Sequence, residues 1–171
     1  PYYLPLHSSI LDHSSACERL CQGVKVQLGS QPNESNNSKG DTMAKDIVIP
    51  KGMEAYYNDF HFAPAVKDGD RLFCSGQLGN GEGNKISDDA ATQFTQAFEN
   101  VKTTLEAAGS SFDEVVEMTT FHVDLRKNMA AFMKVKDLYM KDPFPAWTAI
   151  GITELAFPGA WVEIKVIARL K

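Results

Sequence analysis

A chain of 171 residues, 43% hydrophobic and 23% charged, has the size and composition of one globular domain plus a tail. Its formal net charge of −5, with no basic run anywhere, argues against a nucleic-acid surface, which needs clustered Lys and Arg to meet phosphates. No apolar run is long enough to span a bilayer, and the start PYYLPLHSSILDHSS lacks the basic and long apolar regions of a secretory signal. The expected setting is therefore cytoplasmic, with no membrane partner.

Residues 1–42 differ from the rest. QPNESNNSKGDT is polar and without period, and it reads as a disordered or non-native extension, with the functional unit expected over 43–171 from Met43. Cys17 and Cys21 form C-x3-C with no second ligand pair nearby, so neither a metal nor a cofactor is expected. Beyond Met43, KDIVIP reads as a short strand. FAPAVKDGDRLFCSGQLG reads as a hairpin turning at Asp68-Gly69-Asp70, with Cys74 a small buried residue. The loop GNGEGNKISDD lacks the G-K-[ST] of a phosphate-binding loop and reads as turns. Asp88 or Asp89 is expected to cap a long helix with Phe94, Ala97, Phe98, Val101, Leu105 and Ala108 on its inner face, ended by Gly109.

DEVVEMTTFHVDL is a strand rich in β-branched residues. Asn128 is expected to cap a second helix over roughly Met129–Met140, burying Phe132, Val135, Leu138 and Tyr139. Trp147–Ile152 and Trp161–Arg169 complete the strands. The last alternates Val162, Ile164, Val166 and Ala168 on one face with Trp161, Glu163, Lys165, Ile167 and Arg169 on the other. The first set suits a core under helices. The second is too mixed for a core and too aromatic for plain solvent, which predicts that another copy covers it. The element order predicts an α+β sandwich: one mixed sheet with two helices on one face.

FAPAVKDGDRLFCSGQLG, AFENVKTTLEAAGSSFDEVVEMTTFHVDL, PFPAWTAIGITEL and VEIKVIARL together resemble the RidA (YjgF-type) family of reactive-intermediate deaminases, closest to its YjgH-like branch. The resemblance covers nearly all of 43–171. It implies a chorismate-mutase-like fold, a homotrimer, and small-metabolite sites in clefts between subunits. It also implies hydrolysis of imines and enamines such as 2-aminoacrylate, in which an arginine in a P-A-R-S context holds the substrate carboxylate. Here that motif reads Pro145-Ala146-Trp147-Thr148, so tryptophan stands in the arginine's place. By the same resemblance Phe62 stands for a tyrosine and Lys136 for an asparagine, while Ser75-Gly76 and Glu163 match the family.

A guanidinium fixes a carboxylate through two charge-assisted bonds, whereas an indole donates one N–H and cannot neutralise an anion. Loss of the arginine therefore argues against the family's own imine deamination in this chain and predicts a pocket that favours neutral or cationic ligands, with Trp147 and Phe62 stacking and Glu163 as polar anchor and, by the resemblance, water-orienting catalytic carboxylate. Ser75, Gly76, Thr148 and Lys136 are the remaining binding candidates. His122 is an outside candidate for acid–base work, although strand histidines are more often structural. The alternative is a binding or regulatory module without turnover. A ribonuclease or translation inhibitor, a third activity attached to family relatives, has little support in an acidic chain.

Overall fold

The computed structural model describes residues 44–171. The expectations for residues 1–42, the Cys17–Cys21 pair among them, fall outside the described residues. Strand β1 (Asp46–Val48) is followed by a short helix α1 (Glu54–Asn58), then β2 (Ala65–Asp68), β3 (Arg71–Cys74) and β4 (Gln77–Leu78). Helix α2 (Ala90–Ala107), strand β5 (Val115–Val123), helix α3 (Leu125–Tyr139), β6 (Ala146–Ile152) and β7 (Val162–Arg169) complete the domain. The strands form one sheet ordered β1-β2-β3-β7-β5-β6, with β4 also on β7. Only β5 and β6 run parallel; they are joined through α3, so the sheet is mixed as expected.

Local chemistry sets these elements. Asp89 caps α2, its carboxylate accepting from the Thr92 N–H at 2.8 Å, and Gly109 closes the helix at φ 81°. All six residues expected on the inner face of α2 are buried. Phe94, Phe98 and Phe132 are fully buried, and Phe98 stacks on Tyr139 at 4.8 Å. Truncating one such ring to alanine costs about 3–5 kcal/mol. Val162, Ile164, Val166 and Ala168 of β7 lie beneath the helices at 1% exposure or less, which confirms the alternation read from the sequence.

Two expectations about α3 are corrected. The helix starts at Leu125, because Asp124 adopts a left-handed conformation (φ 52°) that turns β5 directly into helix. Asn128 therefore lies inside the first turns, donating from Nδ2 to the Val123 carbonyl at 3.3 Å, and is not the cap. Leu138 is 69% exposed: the inward row runs through Asn128, Phe132, Lys136 and the half-buried Tyr139, and Leu138 falls on its flank.

One irregularity positions the site. Phe73 pairs with Ile167 and Gln77 with Ile164, so the strand running from β3 into β4 carries one residue more than its partner. This bulge falls at Ser75-Gly76. Among the described residues no helix is long and apolar enough to cross a membrane.

Candidate functional site

The sheet divides the predicted site residues between its two faces. On the face away from the helices, Glu163 of β7 lies opposite Leu78 on one side and Phe121 on the other. Its carboxylate lies across Gly76: a Cβ there would stand 2.1 Å from Oε1 and 2.5 Å from Cδ. The bulge and the missing side chain together make room for the acid. Ser75 supports the turn, donating from Oγ to the Ala63 carbonyl at 2.7 Å and from its N–H to Pro64 at 2.9 Å. Its hydroxyl proton is thus committed to the backbone.

Around Glu163 opens a cavity of about 460 Å³ walled by Tyr56, Phe60, Phe62, Asn80, Asn84 and Phe157. Tyr56 stacks on Phe62 at 5.3 Å and meets Phe60 at 6.3 Å. Asn80 donates to the Tyr56 hydroxyl and to Asn84 Oδ1, which ties α1 to the loop that follows β4. From α2, Asn100 Nδ2 holds the carbonyls of Leu78 and Asn80 at 2.8 and 2.9 Å. Glu163 is half-buried and has no ion-pair partner among the described residues. Burial pushes its carboxyl above the usual glutamate range.

The other group lies on the helix side. Trp147 of β6 is paired with Met118 of β5 and donates from Nε1 to Thr120 Oγ1 at 2.9 Å. Its ring lies 5.9 Å from Phe132, and the Lys136 ammonium stands 5.4 Å from the Trp147 ring centroid and 5.8 Å from that of Phe144. Lys136 is 7% exposed and bonds Asp137 at 2.8 Å. Met118, Met133, Met140 and Pro145 complete a cavity of about 340 Å³ with this one cation in its wall. Within one chain, then, Trp147 and Lys136 are separated from Glu163 and Phe62 by the sheet.

Thr148, paired with Thr119, is exposed on the face opposite Trp147 and lines neither cavity. His122 is fully buried on the helix side, 4.7 Å from Phe132, with Nε2 2.8 Å from Thr120 Oγ1. Burial lowers its pKa to about 4, so the ring is neutral at pH 7. Sequence reasoning missed Tyr56 and Phe60. The signal was present, in that Tyr56, Tyr57, Phe60 and Phe62 crowd a short polar stretch whose aromatics have neither strand nor helix period. No cluster of metal-ligating side chains occurs among the described residues.

A family model described as Endoribonuclease L-PSP matches residues 54–170. The chain is 40% identical over 127 residues to the RutC family protein YjgH of Escherichia coli, covering 74% of this chain and 95% of that protein. The solved structure of protein YJGH superposes with a TM-score of 0.68 at 39% identity, covering 74% of this chain and 96% of that one. A 2-iminobutanoate/2-iminopropanoate deaminase of Dermatophagoides farinae is 32% identical over 115 residues, 64% of this chain and 86% of that one.

Proposed function

The chain belongs to the RidA/YjgF family, and we propose that it acts as a cytoplasmic homotrimer that hydrolyses the C=N bond of a small imine or enamine metabolite in a cleft between subunits. The observation that carries this reading is Glu163, an unpaired, half-buried carboxylate with a raised pKa, set over Gly76 in an aromatic-walled cavity. A carboxylate poised nearer neutrality is suited to take a proton from water and return it. Water adds to the imine carbon as Glu163 accepts its proton. Returned to the nitrogen, that proton gives a carbinolamine; Glu163 then takes the hydroxyl proton and passes it to the nitrogen as the C–N bond breaks, so that a carbonyl compound and ammonia leave.

Lys136 changes the expected ligand preference. By the family resemblance, arginine and asparagine would stand at 147 and 136, where this chain has tryptophan and lysine. The cation has moved from the strand to α3, and it lies beside the indole that replaced it. An ammonium in an apolar wall, paired only with the exposed Asp137, can take a carboxylate as a point charge. The expectation of a preference for neutral or cationic ligands gives way to an imine carrying a carboxylate, the chemistry in the name of the mite relative. Lys136 of one copy and Glu163 of another would meet across the cleft. The mixed open face, with Phe73 and Ile150 about 40% exposed, supports such an assembly.

The test is hydrolysis of freshly generated 2-aminoacrylate. The native chain is expected to turn over, Glu163→Gln to lose about 10²-fold or more in kcat/KM, and Lys136→Gln to lose chiefly in KM. An inactive native chain rescued by Trp147→Arg with Lys136→Asn would mean a RidA scaffold turned to another ligand. Silence from both would favour a binding module without turnover. Cleavage of RNA, with affinity falling steeply as salt rises, would revive the ribonuclease reading that the net charge of −5 disfavours.

A further inference from the structure

Hydrolysis at Glu163 needs only the C=N bond, a water and the carboxylate, and 2-aminoacrylate adds little more than a methylene to these. Sites of about 300–1,000 Å³ enclose drug-sized ligands, and the cavity over Glu163 has about 460 Å³. That is room for a substantial side chain on the imine carbon. The walls indicate its kind, because the rings of Tyr56, Phe60, Phe62 and Phe157 face the amides of Asn80 and Asn84 across the cavity.

Two of these rings come from a segment that the core does not explain. Helix α1 and its exit carry Tyr56 and Phe60, yet α1 has no buried residue. Phe60 is 63% exposed and Phe62 beyond it 40%. A helix this short cannot hold itself by its own hydrogen bonds. Its Tyr56 hydroxyl is tied to Asn80 at 3.3 Å, and Asn80 in turn to Asn84 Oδ1 at 3.0 Å.

The backbone then folds back on itself. His61 adopts φ 59°, a left-handed conformation sparsely populated by residues other than glycine, and the Phe62 N–H returns to the Tyr56 carbonyl at 3.1 Å. The reversal stacks Phe62 on Tyr56 at 5.3 Å and leaves Phe60 6.3 Å from Tyr56. Backbone strain where no core is gained marks a functional position. A cluster of rings gains more from a further ring, offset or edge-on, than area burial alone provides, so it favours an aryl group over an alkyl group of like size.

The orientation rests on the hydrolytic reading given above. With the imine carbon at Glu163 and the carboxylate at Lys136 of another copy, the side chain is the part of the substrate left to enter among the rings. We propose that the substrate is the imine of an aromatic amino acid, its aryl group seated on Tyr56, Phe60 and Phe62, which set specificity. Water adds and ammonia leaves as before, and the product is the corresponding aryl 2-oxo acid.

The experiment compares imines made in situ from phenylalanine, leucine and alanine by an amino-acid oxidase, reading kcat/KM for hydrolysis by the native chain, Tyr56→Ala and Phe60→Ala. One methylene in an apolar pocket is discriminated by about 10–200-fold, so the native chain should favour the phenylalanine imine by at least ~10-fold over the other two. In each variant that preference should fall by ~10-fold. Neither position is buried, so the fold should survive. Calorimetry with phenylpyruvate and pyruvate reads the same subsite without turnover, with phenylpyruvate expected to bind ~10-fold more tightly and the difference lost in both variants. If no imine is hydrolysed while phenylpyruvate keeps its advantage, the hydrolytic reading fails and the aryl subsite stands. Hydrolysis of the three imines at equal kcat/KM, a leucine imine as good as the phenylalanine one, or a preference unchanged in the variants would overturn the subsite. Loss of the oligomer in the variants, read by sedimentation, would overturn it too and assign the rings to a contact between copies.

Discussion

Gly76→Ala is the sharpest probe of the Glu163 site, because it adds a single methyl at a point where the geometry leaves no room. The new carbon would stand 2.1 Å from Glu163 Oε1, 2.5 Å from Cδ and 2.7 Å from Cγ. Ordinary contacts between such atoms are about 3.5 Å, so the carboxyl must retreat by roughly an ångström. Gly76 is not among the glycines with positive φ, so alanine meets no backbone strain there and the effect is confined to the side chain. A displacement of that size costs about 10²-fold in rate for a group that must meet a reacting atom. That corresponds to roughly 2.7 kcal/mol of transition-state stabilisation. Global stability should change little, since the displaced atoms are the end of a flexible chain. A carboxyl pushed toward water also loses the upward shift that burial causes and titrates back in the ordinary glutamate range. The assay is a carbon-detected pH titration of the Glu163 carboxyl in both chains, alongside 2-aminoacrylate hydrolysis and a denaturation curve. An unchanged, raised Glu163 titration in the alanine chain would refute the placement of the acid over Gly76, whatever the activity does.

Other expectations follow from the same groups. Because burial raises the pKa of Glu163 in the folded chain, its contribution to stability is full below the unfolded value and is lost as pH rises through the folded one. Glu163→Gln should therefore raise Tm at pH 7.5 and gain nothing at pH 4; a lower Tm at pH 7.5 would contradict this. His122 has the opposite sign. With its pKa lowered from 6.5 to about 4, the stability it contributes is present above 6.5 and drains away as pH falls toward 4, by ~3 kcal/mol in all. Urea midpoints of the native chain should fall more steeply between pH 7 and 4.5 than those of His122→Gln, and parallel curves would exclude the effect. Cys74 is buried with its thiol pushed up to about 12, so in a Cys17→Ser, Cys21→Ser chain it should react with a disulfide reagent only as fast as the protein unfolds.

Most of the scaffold was legible where a local signal and the tertiary environment agree. Helix α2 carries a cap at Asp89, a 3.6-residue apolar period and a glycine stop, and β7 alternates over its whole length. Helix α1 was missed because its five residues are too few to show a period. The start of α3 was misplaced because a left-handed aspartate makes the turn, with no capping bond for a sequence pattern to reveal. Glu163 was singled out by the family resemblance, since the mixed face of its strand pointed only to a covered surface. The face on which Trp147 lies could not be read, because it depends on the register of β6 against β5, which is set by contacts distant in sequence. For the same reason the placing of Lys136 against the indole, and the stranded nitrogen of His122, emerge only in three dimensions.

The extra residue at Ser75-Gly76 has a genetic consequence. Leu72 and Cys74 face the helices before the bulge, and Gln77 faces them after it. Deleting the Gly76 codon would bring Gln77 into step with them, still opposite Ile164, and β3 and β4 would join as one regular strand. The core pattern would survive, while the gap beneath the Glu163 carboxyl would close. An in-frame loss of three bases could thus uncouple this fold from the chemistry proposed for Glu163, leaving descendants that keep the architecture and are free to acquire another role.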